Sequence, residues 1–173
     1  MPRMTGAKYL AETLKAYGVT HVFFVPAVLR KSLAEMDMVG IKRVVTHGEK
    51  AAAYMADGYA RASDKVGVCM AQSVGAVNLA AGLQDAYLGL SPVLALTGHK
   101  SNLQQNRNAY QEIEHSKPFA STTKFSAVVD SVNELPALLR QAFREATTGA
   151  PAPVHLDFEG ISGNIVEDGE ADL

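Results

Sequence analysis

The chain has 173 residues, of which 47% are hydrophobic and 20% charged, values that suit one globular domain with a substantial core. A formal net charge of −2, with Lys and Arg scattered along the chain, gives no electrostatic basis for nucleic acid or a membrane surface as partner. No apolar stretch reaches the length of a membrane span, the first residues lead into a helical pattern rather than a signal sequence, and the single cysteine, Cys69, excludes an internal disulfide or a thiolate metal cluster. A reducing, cytoplasmic setting is expected.

Thr5 can cap a helix over 5–17 whose apolar side carries Ala7, Leu10, Ala11 and Leu14, and Gly18 stops it. Residues 21–25 (His-Val-Phe-Phe-Val) form the short, almost wholly apolar run of a buried parallel strand. A helix over 30–38, a strand over 43–46 and a helix over 49–62 rich in small residues follow. Next come a strand over 66–71, a helix over 76–88 and a strand over 93–97, opened by Pro92 and ended by Gly98. Residues 101–111 are polar and read as a loop. The pattern closes with a strand over 125–129, a helix over 133–147 and a strand over 154–158.

Strands separated by helices imply crossover connections, hence an α/β three-layer sandwich with a mainly parallel central sheet covered on both faces. One domain over 1–162 is expected, with 163–173, acidic from Glu167, as a flexible tail. Open α/β sheets place ligands beyond the carboxyl ends of their strands. Attention therefore falls on the turns at 25–29, 46–50, 71–78 and 97–112.

The 46–50 turn, Thr46-His47-Gly48-Glu49-Lys50, opens the helix that carries Glu49 in its first turn. A carboxylate there is unremarkable, because the helix dipole favours it. Yet Ala52, Ala56 and Ala60 recur at four-residue spacing and form a face small enough for another helix to approach closely. A glutamate opening such a packed helix is expected to be desolvated, which suits a carboxyl group that exchanges a proton near neutral pH. His47, two residues earlier, could face the same site. The five histidines, His21, His47, His99, His115 and His155, show no metal-binding spacing and otherwise read as surface or packing residues. Cys69 reads as a small buried hydrophobe. Dinucleotide and P-loop glycine motifs are absent, and Ser73 lacks the context of a nucleophile elbow.

The run His47-Gly48-Glu49-Lys50-Ala51-Ala52-Ala53, followed by Ala56-Asp57-Gly58-Tyr59-Ala60-Arg61, resembles the cofactor-glutamate helix of thiamine diphosphate-dependent 2-oxoacid enzymes of the acetolactate synthase and decarboxylase type. Ser73-Val74-Gly75-Ala76-Val77-Asn78-Leu79, Gly82-Leu83-Gln84-Asp85-Ala86 and Ser91-Pro92-Val93-Leu94-Ala95-Leu96-Thr97-Gly98 are similar to the family in order and spacing. So are Tyr110-Gln111-Glu112 and Pro153-Val154-His155-Leu156-Asp157, and the likeness runs from about Thr5 to Phe158. The resemblance implies the pyrimidine-binding (Pyr) domain fold. It also implies that Glu49 hydrogen-bonds the N1′ atom of the aminopyrimidine ring, promoting loss of the thiazolium C2 proton before attack on a 2-oxoacid. Val25, Pro26, Val74, Gly75 and Asn78 would line the pyrimidine pocket, and Gln111 would lie on the substrate side.

Two departures stand out. The family usually has glycine on both sides of the 25–28 turn, where this chain has Phe24 and Ala27, and a glycine–proline–glycine turn where it has Ser73-Val74-Gly75. The family's diphosphate and magnesium motif is missing, so the resemblance places Mg2+ on a partner domain and none on this one. The chain is then expected to share thiamine diphosphate in a homodimer or a hetero-oligomer with a diphosphate-binding (PP) subunit or domain. The small-faced helices point the same way. Both a natural small subunit and the first domain of a longer polypeptide satisfy this. Alternatives are the alpha subunit of a split sulfopyruvate- or phosphonopyruvate-type decarboxylase, and a non-catalytic regulatory or assembly subunit with the same fold.

Overall fold

A computed structural model describes residues 3–173. In chain order the elements are β1 (Arg3–Thr5), α1 (Gly6–Ala16), β2 (His21–Phe24), α2 (Arg30–Met38), β3 (Lys42–Val45), α3 (Glu49–Ser63), β4 (Gly67–Gln72) and α4 (Ser73–Leu88). They continue with β5 (Val93–His99), α5 (Ser116–Ala120), β6 (Phe125–Val129), α6 (Leu135–Thr147), β7 (Val154–Glu159), α7 (Asn164–Asp168) and β8 (Glu170–Asp172). Every strand and long helix expected from the sequence is present.

Among the described residues, β3-β2-β4-β5-β7-β6 form one sheet in that order, and every pairing in it is parallel. Successive strand residues point to opposite faces. Val22, Phe24, Val68, Met70, Leu94 and Leu96 therefore join Leu10 and Leu14 of α1, Met36 of α2, and Leu139 and Phe143 of α6 in one core. Phe23, Cys69, Ala71, Val93 and Ala95 face the other way, onto Ala52, Ala53 and Ala56 of α3, Leu79 and Leu83 of α4, and Phe119 of α5. These two packed faces make the three-layer sandwich.

The two cores differ in the size of their residues. The α3/α4 side is built mainly from alanine, so its layers approach closely. A Cβ at Gly67 would stand 2.1 Å from the Ala56 carbonyl oxygen, and one at Gly82 would stand 2.7 Å from Ala53 Cβ. Small residues at these points allow α3 to sit directly on β4 and against α4.

The acidic tail is not loose. Residues 164–168 are helical, and β8 pairs antiparallel with β1, Arg3 opposite Asp172. Val166 is buried, and the buried Glu167 carboxylate accepts a hydrogen bond from Ser32 N at 2.7 Å, in the first turn of α2. The run reads as solvated only because its partners, β1 and α2, lie more than a hundred residues earlier.

Candidate active site

The parallel strands bring their carboxyl ends to one rim. The order β3-β2-β4-β5 sets side by side the turns that follow those strands, which are the four segments singled out from the sequence. Thr46 fastens the first of them: its N–H donates to the Phe24 carbonyl at 2.8 Å and its hydroxyl to the Gly48 carbonyl at 3.0 Å. That closure delivers Glu49 as the first residue of α3.

The side chain of Glu49 points to α4. A Cβ on Gly75 would stand 2.6 Å from Glu49 Oε1, so a side chain there would displace the carboxylate from this position. The other oxygen, Oε2, accepts from Asn78 Nδ2 at 3.3 Å. Since Glu49 begins α3 and Gly75 lies in the first turn of α4, the carboxylate sits where the positive ends of two helices meet. Glu49 is half-buried, short of the full desolvation expected from its packed helix, because α3 begins at the solvent-facing rim of the sheet.

Gln111 is drawn to the same place. Its carbonyl accepts a hydrogen bond from the Ser73 hydroxyl, and its amide donates to the Tyr110 hydroxyl at 3.0 Å. Val25 is half-buried and Pro26 exposed at the end of β2, and Val74 is exposed beside Gly75. His47 is exposed, and among the described residues no hydrogen bond or ion pair ties it to the other candidates.

The residues found where the family usually has glycine behave in two ways. Phe24 is an ordinary strand residue packed in the larger core. Ala27 and Ser73, by contrast, hold φ at 153° and 34°, backbone regions that glycine favours. Gln111 is also left-handed, with φ 58°. With Leu29, φ 44° in the same turn as Ala27, these strained non-glycine residues cluster around the rim, the distribution expected where a site over-determines its backbone.

Three histidines read as surface or packing residues form a buried network instead. His155 donates through Nε2 to Thr97 Oγ1 at 2.7 Å and accepts at Nδ1 from Ser126 Oγ at 2.8 Å. Thr97 in turn donates to Asp157 Oδ1 at 2.6 Å. His115 spans from Asp157 Oδ2, 2.9 Å from Nδ1, to the Ser73 carbonyl, 2.9 Å from Nε2. His99 Nδ1 stands 3.4 Å from Asp157 Oδ2 without hydrogen-bonding geometry. Burial alone would push the Asp157 carboxyl up, but the His115 hydrogen bond and the neighbouring imidazoles hold it well below the usual carboxylate range. Burial pushes His155 down to about 3, the neutral form its two partners require.

One sequence signal could have revealed this network. His155 and Asp157 lie two apart in a strand buried on both faces, and a charged residue there must have an internal partner.

Residues 4–118 match the family model described as thiamine pyrophosphate enzyme, N-terminal TPP binding domain. The chain belongs to that family. It is 40% identical over 175 residues to a probable acetolactate synthase large subunit of Methanocaldococcus jannaschii, covering 98% of this chain and 28% of the relative. It is 39% identical over 168 residues to an acetolactate synthase of Arthrospira platensis, covering 94% and 29% respectively. The large subunit of acetolactate synthase isozyme 2 of Escherichia coli is 40% identical over 158 residues, covering 90% and 29%. The chain thus spans under a third of the length of these relatives. Among the described residues no helix is long and apolar enough to cross a membrane, and no group of three or more His, Cys, Asp or Glu is arranged to hold a metal ion.

Proposed function

We propose that this family member is the pyrimidine-binding half of a thiamine diphosphate-dependent, acetolactate synthase-like enzyme acting on 2-oxoacids. The observation that carries the reading is the Glu49 carboxylate, held against Gly75 at the junction of two helix N-termini. The residues present suit an aminopyrimidine. Glu49 offers an acceptor oxygen at the rim, Gly75 removes the side chain that would displace it, and Val25, Pro26 and Val74 offer apolar flanks.

When bound, the cofactor would supply a thiazolium carbon that attacks the 2-oxoacid and an electron sink for decarboxylation. This chain's part is to hold and exchange a proton at Glu49, to orient the ring, and to present Gln111 and His47 on the substrate side. Asn78 steadies the carboxylate through Oε2.

The diphosphate and its Mg2+ would be held by a partner domain or subunit. Exposed Tyr54 and Met55 on α3, and Tyr87 and Leu88 on α4, support an assembled state in which that apolar surface is covered, as a homodimer or a hetero-oligomer. The free, buried Cys69 is consistent with a cytoplasmic setting.

The test is Glu49→Gln in the complete assembly, with carbon dioxide release from a panel of 2-oxoacids as the readout. Turnover should fall by roughly 10²–10⁴, the usual contribution of a positioned proton-transfer group. Unchanged turnover would overturn the reading in favour of a non-catalytic subunit.

A further inference from the structure

His115 is the most constrained polar side chain near the rim. It is only 4% exposed, and both ring nitrogens face acceptors, the Asp157 carboxylate and the Ser73 carbonyl, each at 2.9 Å. Its ring thus bridges the Asp157 carboxylate and the Ser73 carbonyl, one nitrogen to each. The rest of the network meets the same carboxylate. Thr97 spends its hydroxyl proton on Asp157 Oδ1, and neutral His155 supplies the hydrogen that Thr97 accepts. The bonds converge on Asp157: Ser126, His155 and Thr97 donate toward it from one side, and His115 bridges it to the Ser73 carbonyl from the other.

The outer end of this chain bears on the proposed site. Ser73 opens α4 in a left-handed conformation that a non-glycine residue does not keep unaided. His115 grips its carbonyl, and the Ser73 hydroxyl grips the carbonyl of Gln111, itself left-handed. Two residues further on, Gly75 abuts Glu49 Oε1. The buried His115–Asp157 pair, tied to β5 and β7 through Thr97 and Asp157, therefore anchors the turn against which Glu49 rests and the residue on the substrate side.

We propose that His115, locked by Asp157, is a positioning residue that sets the placement of the Glu49 carboxylate and of Gln111 by fixing the Ser73 turn. The inference rests on the cofactor reading above. A clamp of this kind changes how well the site is organised for activation more than how tightly ligands are held, because misplacement of about an ångström can cost roughly a hundredfold in rate.

The experiment compares wild type, Glu49→Gln, His115→Gln and Asp157→Asn in the complete assembly. It measures deuterium exchange at C2 of bound thiamine diphosphate, affinity for that cofactor, kcat and KM, and backbone amide exchange over residues 73–78. Gln at 115 can reach one acceptor but not both. The expected result for a folded His115→Gln protein is a C2 exchange rate and kcat at least about tenfold lower, with KM and cofactor affinity within about threefold. Faster amide exchange over 73–78 should accompany it, with Asp157→Asn following in the same direction.

Wild-type C2 exchange and wild-type protection of 73–78 in His115→Gln would overturn the proposal. So would global unfolding of both His115→Gln and Asp157→Asn, which would make the pair a requirement of the fold. If Glu49→Gln itself leaves C2 exchange unchanged, the cofactor reading fails. If Glu49→Gln abolishes exchange and His115→Gln does not slow it, only the positioning role fails.

Discussion

Ala27 holds φ at 153° on the turn after β2, in a region that is essentially reserved for glycine and that costs other residues about 1–3 kcal/mol. Replacing it with glycine relieves that strain but adds conformational freedom to the unfolded chain, an offset of about 0.4–1 kcal/mol. Ala27→Gly should therefore raise stability by about 1 kcal/mol and the melting temperature by roughly 2–4 °C, read by a thermal melt. An unchanged or lower midpoint would show that Ala27 sits there without strain. At this scale Glu49 was legible as a candidate, because the small-residue face behind it and the family-like run around it single out a carboxylate that is unremarkable by position alone. His115 was not. Its meaning comes from Asp157, 42 residues away, and from a carbonyl whose direction only the folded turn sets.

Helices α3 and α4 show how the same residue type serves opposite ends within one packed pair. At Gly82 a Cβ would meet Ala53 Cβ at 2.7 Å and the Lys50 carbonyl oxygen at 2.8 Å, whereas at Gly58 it would meet nothing within 4 Å. Gly82→Ala should overpack the α3–α4 contact and cost about 1–3 kcal/mol. Gly58→Ala should instead gain about 0.5–1 kcal/mol by stiffening an exposed turn of α3. Urea midpoints of the two variants should move in opposite directions, and a shared sign would refute the packing account. The long helices were readable because each spans enough residues to show a period, and the sheet strands because they fall as apolar runs between those helices. Elements β1, α5, α7 and β8 have three to five residues each and show none. The start of α4 at Ser73 rather than 76 was missed for another reason: Gly75 reads as a turn residue, but here it is in the helix to make room for Glu49.

For the molecule as a whole, the buried histidine network predicts acid lability. In the folded chain His155 stays neutral down to about 3, while an unfolded histidine takes a proton near 6.5. Between those values the unfolded state binds more protons, so stability present above about pH 6.5 is lost as the pH falls. Asp157, held low, adds a loss only below the ordinary carboxylate value near 3.8. His99 is pulled two ways: burial lowers it, but Asp157, Asp130 and Glu159 outweigh that and raise it. Its contribution has the opposite sign, present below about 6.5 and lost as the pH rises through its raised value. The urea midpoint should decline from pH 6.5 to pH 4, and His155→Gln should flatten that slope; an unaltered slope would exclude His155 as its source.

Composition and periodicity alone determined the sandwich, its parallel sheet and the rim where the four turns stand, because burial on both faces of a parallel strand dictates an apolar run and crossover helices dictate alternation. Short motifs in register likewise determined the family. Tertiary structure alone decided the order of the acidic tail, the half-buried state of Glu49 and the chain of hydrogen bonds from Ser126 to Ser73. In each case the deciding partner lies far off in sequence, and a polar group's burial and protonation depend on what surrounds it in space.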